Sequence, residues 1–170
     1  VRYEIEGDQQ NRFWAYGGRA AAHDAEEKVI IGGSYLLEES GEMDETVQGV
    51  DTTVNFSDTL KLRGEYEESN SLEKGEGTAY LLDLESTRED RAYRFFYRDV
   101  GEGFENRGMR GSTAGRLEYG VEGALRFNPT YGIEGEVSMQ EEARNDRKEG
   151  AAIIDGIYTG DKMEFRVGGG

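Results

Sequence analysis

The side chains that could do chemistry in this chain are few. It has one His and no Cys. Disulfides, thiol chemistry and cysteine metal sites are therefore absent. A nucleophile–His–acid arrangement would need His23, which lies in "HDAEE" beside a tight turn and reads as a surface His. Glu134 and Glu136 stand at i, i+2 and share one face of a strand. As a glycosidase pair they would need a sugar cleft, and nothing in the sequence marks one. "GEGFENRG" holds Gly-x-Gly but opens no helix after a buried parallel strand, so a dinucleotide site fails on context. The runs "EESGEMDE" and "EESNSLEKGEGT" offer carboxylates to Ca²⁺ or Mg²⁺, yet lack EF-hand spacing and read as solvated loops. "NPT" has Pro in the middle, so it is a turn and not a glycosylation acceptor. No catalytic residue, metal or cofactor is expected.

The totals narrow the classes further. The 170 residues suffice for one domain. A net charge of -16 excludes nucleic acid as a partner and argues against electrostatic docking on anionic lipid. High charge with low hydropathy would permit disorder, but ten Tyr, seven Phe and a regular alternation oppose it. No apolar run approaches the ~20 residues of a membrane helix. The chain opens on Val with no signal peptide, and reads as a mature or excised piece.

What must position any site is a set of strands, because period two dominates throughout. About eleven are expected: "VRYEIEG", "RFWAYGGRAAA", "KVIIGGSYLLEE", "TVQGVDTTVNF", "LKLRGEYEE", "TAYLLDLE", "RAYRFFYRDV", the two arms of "RLEYGVEGALRFNPTYGIEGEVSM", "AAIIDGIYT" and "MEFRVGGG". The connections HDAEE, SDT, STRED, NPT and GDK are short, whereas four of the five between them, SGEMDE, SNSLEKGEG, GEGFENRGMRGSTAG and EARNDRKEG, are longer; the first, around DQQ, is short. In an up-and-down meander these alternate between two ends. Short turns at one end and long loops at the other is the asymmetry of a transmembrane β-barrel.

Amphipathic alternation alone fits a soluble barrel or sandwich with its apolar face inward equally well. Three features favour lipid. Leu117 to Phe127 alternates over a length that spans a bilayer, ~9–11 residues. Aromatics form two bands, Phe56, Phe127, Tyr131, Tyr158 and Phe165 beside the short turns and Trp14, Tyr66, Tyr80, Tyr97 and Tyr119 near the long loops, like interfacial girdles. Gly17, Gly64, Gly123, Gly135 and Gly156 are expected among the large residues of the apolar face, where a packed core would tolerate voids poorly. The opposite face, Lys61, Arg63, Glu65, Glu67, Glu118, Glu122, Arg126, Glu134 and Glu136, would then line a wet lumen.

With hairpins such as "TTVNFSDTLKLRGEYEES" and "GALRFNPTYGIEGEVSMQEEARNDRKEG", the chain resembles a bacterial outer-membrane β-barrel protein. "FFYRDVGEGFENRG" resembles a segment of the barrel regions of large Gram-negative surface proteins. The resemblance implies an all-β, antiparallel up-and-down transmembrane β-barrel in the bacterial outer membrane, contacting lipid and lipopolysaccharide. Such barrels usually have an even strand number and an aromatic last residue. Here the count is odd and the end is "RVGGG", so residues 1–170 form either one barrel domain or a fragment of a larger barrel.

Three functions follow as expectations. The first is a non-enzymatic pore with an acidic, mixed-charge lumen, six Glu against three basic groups, and hence weak cation preference. The second is a scaffold or anchor within a larger assembly of subunits. The third, from a different class, is a soluble antiparallel β-barrel binding a small apolar ligand.

Overall fold

The computed structural model describes residues 2–5, 13–40, 43–72, 75–104, 114–143 and 147–158. Ten strands follow in chain order: β1 Arg2–Ile5, β2 Phe13–His23, β3 Val29–Ser40, β4 Met43–Ser57, β5 Leu60–Ser71, β6 Gly75–Thr87, β7 Arg91–Val100, β8 Arg116–Arg126, β9 Tyr131–Glu142 and β10 Arg147–Tyr158. They form a single sheet in which every strand pairs antiparallel with its sequence neighbour. The chain is thus an all-β up-and-down meander. Among the described residues β1 and β10 are not paired with each other. The expected eleventh strand, "MEFRVGGG", and with it Phe165 and the turn GDK, lies outside the described residues.

Each tight turn has a local cause. In "NPT", the Asn128 side-chain oxygen accepts hydrogen bonds from the Thr130 and Tyr131 amides at 2.8 and 2.9 Å, an Asx turn with Pro129 fixing the bend. In "HDAEE", Asp24 accepts from the Val29 amide at 3.1 Å, and Glu27 takes a positive φ of 52° to close the loop. The register slips between Asn55 and Ser57, a bulge beside the two-residue turn into β5.

The expected asymmetry of loop length is corrected. Pairing continues into three of the stretches read as long loops: to Ser40–Met43, to Ser71–Gly75 and to Glu142–Arg147. Only the connection between β7 and β8, residues 101–115, stays long among those described. The backbone ladder needs only N–H and C=O groups, so strands can run on through Glu- and Ser-rich sequence where side-chain alternation no longer marks them.

The sheet is amphipathic in an unusual sense. Its two faces can be followed from strand to strand because directly paired residues point the same way. One face carries Ile31, Tyr35, Val50, Tyr80, Leu82, Leu84, Tyr93, Phe95, Val121, Ile133, Val137 and Ile154, and all of these are exposed. The other carries most of the charged residues, and the buried strand positions Glu45, Val47, Ser69, Ser71 and Val100 all belong to it. On β6, Leu82 is 40% exposed, whereas its neighbour Asp83 has only 13% of its side chain exposed. At this point of β6 the carboxylate is the more covered of the two and the aliphatic side chain is bare, the reverse of a water-soluble sheet.

Glycine placement follows from close side-chain crossings. Gly32 lies beneath the Arg19–Asp51 ion pair, which reaches from β2 to β4 over β3; a Cβ there would meet both partners. Gly120 lies beneath the Phe96 ring, 2.7 Å from where a Cβ would sit. On the apolar face Gly123 takes the Tyr93 ring at 3.6 Å, an aromatic covering a bare strand glycine. Gly64, Gly123, Gly135 and Gly156 lie on the apolar face as expected. Gly17 does not: it pairs with Leu36 on the polar face, because unbroken alternation along β2 keeps Trp14, Tyr16 and Gly18 on the apolar face and turns Gly17 to the other.

Candidate functional site

The nine charged residues singled out from the sequence all fall on the polar face. Lys61, Arg63, Glu65 and Glu67 follow one another along β5, Glu118, Glu122 and Arg126 along β8, and Glu134 and Glu136 along β9. The registers then bring them together across strands. Glu65 pairs with Asp51, and Arg63 with Asp83. Glu122 lies between Arg94 and Glu136, and Glu118 between Arg98 and Gln140.

Arg94 organises the centre of this wall. Its guanidinium contacts Asp83 on β6 at 2.7 Å and Glu122 on β8 at 3.2 Å. Its other hydrogen bond to Asp83, through Nε, is 2.9 Å, so the carboxylate is gripped by two donors. The guanidinium carbon also lies 5.4 Å from the Phe96 ring centroid, and that ring rests on Gly120. Alternation along β6 and β7 would have placed Asp83, Glu85, Arg94 and Arg98 on this face, but the sequence carries no signal that one Arg grips two strands.

Beside Arg94 lies a cavity of about 400 Å³ bordered by Glu85, Glu122, Glu134, Glu136 and Asp155. Glu122 and Glu136 are direct cross-strand partners, an arrangement that like charges disfavour. Arg94 pairs with Glu122, and among the described residues no ion pair reaches Glu136. Further along, Arg116 donates to Gln140 at 2.5 Å and lies 3.6 Å from Glu118. Among the described residues no cluster of three His, Cys, Asp or Glu has metal-binding geometry. His23 ends β2, with its Nδ1 2.9 Å from the Asp24 carbonyl oxygen, a turn contact and no part of this wall's ion-pair network.

The aromatic residues singled out from the sequence map to the other face. Tyr66, Tyr80, Tyr97, Tyr119, Tyr131 and Tyr158 lie on it by register, as does Trp14 at the start of β2. Phe56 sits in the bulge of β4 and Phe127 in the Asn128 turn, both exposed. At the short-turn end Tyr131 and Tyr158 pair with ring centroids 5.2 Å apart. Near the middle of β5 and β6, Tyr66 and Tyr80 pair at 5.0 Å, and Tyr97 stands opposite Tyr119; because pairing runs on to Ser71 and Gly75, the Tyr66–Tyr80 pair does not lie at the loop end that the sequence alone suggests. Two of these rings point their hydroxyls at acids two residues on: Tyr66 donates to Glu68, and Tyr97 to Asp99 at 3.4 Å. Each thus has an apolar body and a polar tip. Between the bands, Ile31, Val50, Tyr66, Leu82 and Tyr97 border a shallow apolar depression of about 640 Å³, with Gly64 among them.

No family model and no curated protein matches this chain. Among solved structures it is similar to the "KdgM porin in complex with disordered oligogalacturonate", with a TM-score of 0.45 and 9% sequence identity, covering 87% of this chain and 76% of that one.

Proposed function

We propose that this chain is an integral outer-membrane β-barrel, or the wall of a larger one, acting as a non-enzymatic pore whose lumen is the polar face. The observation that carries this reading is the inversion of burial on β6 and its neighbour: the Asp83 side chain is only 13% exposed and Glu85 is half-buried, while Leu82, Leu84 and Phe95 are bare. Leaving that many apolar side chains in water has a steep free-energy cost. In hydrocarbon it has none, and the covered charges then border water. Lys61, Arg63, Glu65, Glu67, Glu118, Glu122, Arg126, Glu134 and Glu136 become lumen residues. Trp14, Phe56, Tyr66, Tyr80, Tyr97, Tyr119, Phe127, Tyr131 and Tyr158 become lipid-facing, with the Tyr131–Tyr158 pair beside a tight turn at one interface and lipid and lipopolysaccharide as neighbours.

The excess of acid on the wall, and Glu136 opposite Glu122, gives such a pore a cation preference. In a membrane no strand edge can stay unpaired, so the barrel closes either within residues 1–170 or with further strands. A scaffold or anchor within a larger assembly has the same wall and differs only in conducting no ions. The soluble reading needs an apolar interior, whereas the covered face carries Glu45, Asp83 and Glu85 beside the buried Val47 and Val100.

Two measurements test the proposal. Partition into detergent micelles with a heat-modifiable mobility on gels is expected; a protein that stays monomeric in water without detergent rejects it. In planar bilayers, cation-preferring steps are expected, and anion selectivity rejects the acidic-lumen pore.

A further inference from the structure

The described segment Gly101–Phe104, which leaves β7, does not continue outward. The Gly101 amide donates to the Thr78 carbonyl at 2.8 Å, and the Phe104 amide returns to the Gly101 carbonyl at 3.0 Å, closing a tight turn. The turn then lies on β6. A Cβ built on Gly77 would run into the backbone of Gly103 and Phe104, and one built on Gly103 would come 2.6 Å from the Glu76 carbonyl oxygen. Gly77 pairs with Ser69, which pairs with Val47, and all three face the polar side. The segment is therefore seated on that side of the sheet. Phe104 is 2% exposed, and the nearby positions Glu45, Val47, Ser69 and Ser71 are the buried ones on β4 and β5.

We infer that Gly101–Phe104 is an internal strap, anchored on Gly77 by Phe104, that covers the polar wall of β4–β6 at the end away from the tight turns and narrows the passage there. The inference rests on the pore reading for its second half only. Backbone lies directly on backbone at Gly77 and Gly103, so both positions require the absence of a side chain. That requirement has no purpose if the segment merely projects into solvent. Phe104 then sets how much of the wall is open, and with it the size limit of what passes.

The chain has no cysteine, so Ser69→Cys introduces a single reporter thiol under the strap. Maleimide labelling of the protein refolded in detergent is expected to be slow in this background. It should accelerate about tenfold or more when Phe104→Ala or Gly77→Val is added, as local cover is lost. Gly123→Ala, which meets only the Tyr93 ring on the other face, should leave labelling unchanged. Heat-modifiable mobility verifies that each variant is folded, and two independent strap variants guard against one that is not. Equal labelling with and without the strap substitutions overturns the inference. In planar bilayers the same two substitutions should enlarge the single-channel step. Faster labelling with an unchanged step overturns the narrowing. Silence of wild type and variants alike, with faster labelling, overturns the narrowing and the pore reading while supporting the strap as cover.

Discussion

Leu82 and Asp83 are adjacent in sequence, yet the aliphatic side chain is the exposed one and the carboxylate is the covered one. Asp83 is held by Arg94 from the next strand, while Leu82 stands between Gly64 and Tyr97 on the bare face. The same inversion repeats with Leu84 and Glu85.

Leu82→Arg is the sharpest test of which solvent meets that face. In a bilayer, a cation near the midplane of a lipid-facing strand costs about 2–4 kcal/mol. At an exposed position of a soluble sheet the change stays within about 0.5 kcal/mol. Denaturant unfolding from lipid vesicles, compared with wild type, reads the difference, and a negligible loss argues against lipid contact.

Arg94→Ala removes two donors from Asp83 and the partner of Glu122. Both partners keep some access to water, so the expected loss is about 1–2 kcal/mol rather than the value for a fully buried pair. Arg94→Lys should recover only part of it, since one ammonium cannot reproduce the two-pronged grip. If the two variants are equally stable to denaturant, the bridge between β6 and β8 is not what holds this wall.

Gly32→Val should break the Arg19–Asp51 pair, whose contact of 2.6 Å passes over that position. Because Arg19 is more than half exposed, the loss is about 1 kcal/mol or less. Gly33→Val, with nothing nearer than the Gly49 carbonyl at 3.8 Å, should be neutral or slightly stabilising through strand propensity. The order Gly33→Val above Gly32→Val in unfolding midpoint checks the crossing.

Glu122→Gln together with Glu136→Gln removes the facing carboxylates beside the 400 Å³ cavity. The reversal potential in a salt gradient should move toward the non-selective value, while folding is unharmed or improved by relief of like-charge repulsion. An unchanged reversal potential places the selective charges elsewhere on the wall.

Much was legible in the residues alone. Period-two alternation specified the strands of this all-β meander, and the parity of Lys61, Arg63, Glu65 and Glu67 specified a common face, because a strand offers only two. Asn128 and Pro129 specified their turn by local hydrogen-bonding chemistry. Where both faces are polar, alternation vanishes, so the sequence alone does not distinguish the extensions of β3 to β6, β9 and β10 from loops. Gly17 carries no side chain to declare a face, and only the register with Leu36 assigns it to the polar one.

Tertiary structure decided the rest. The sequence of β6 is identical whether Leu82 or Asp83 turns inward; only the packing of ten strands covers one face and bares the other. Long-range register, which no local pattern encodes, brought Arg94 between Asp83 and Glu122, set Glu122 against Glu136, and laid Phe104 over Gly77. Alternation creates two faces, and the fold as a whole assigns which one is the more covered.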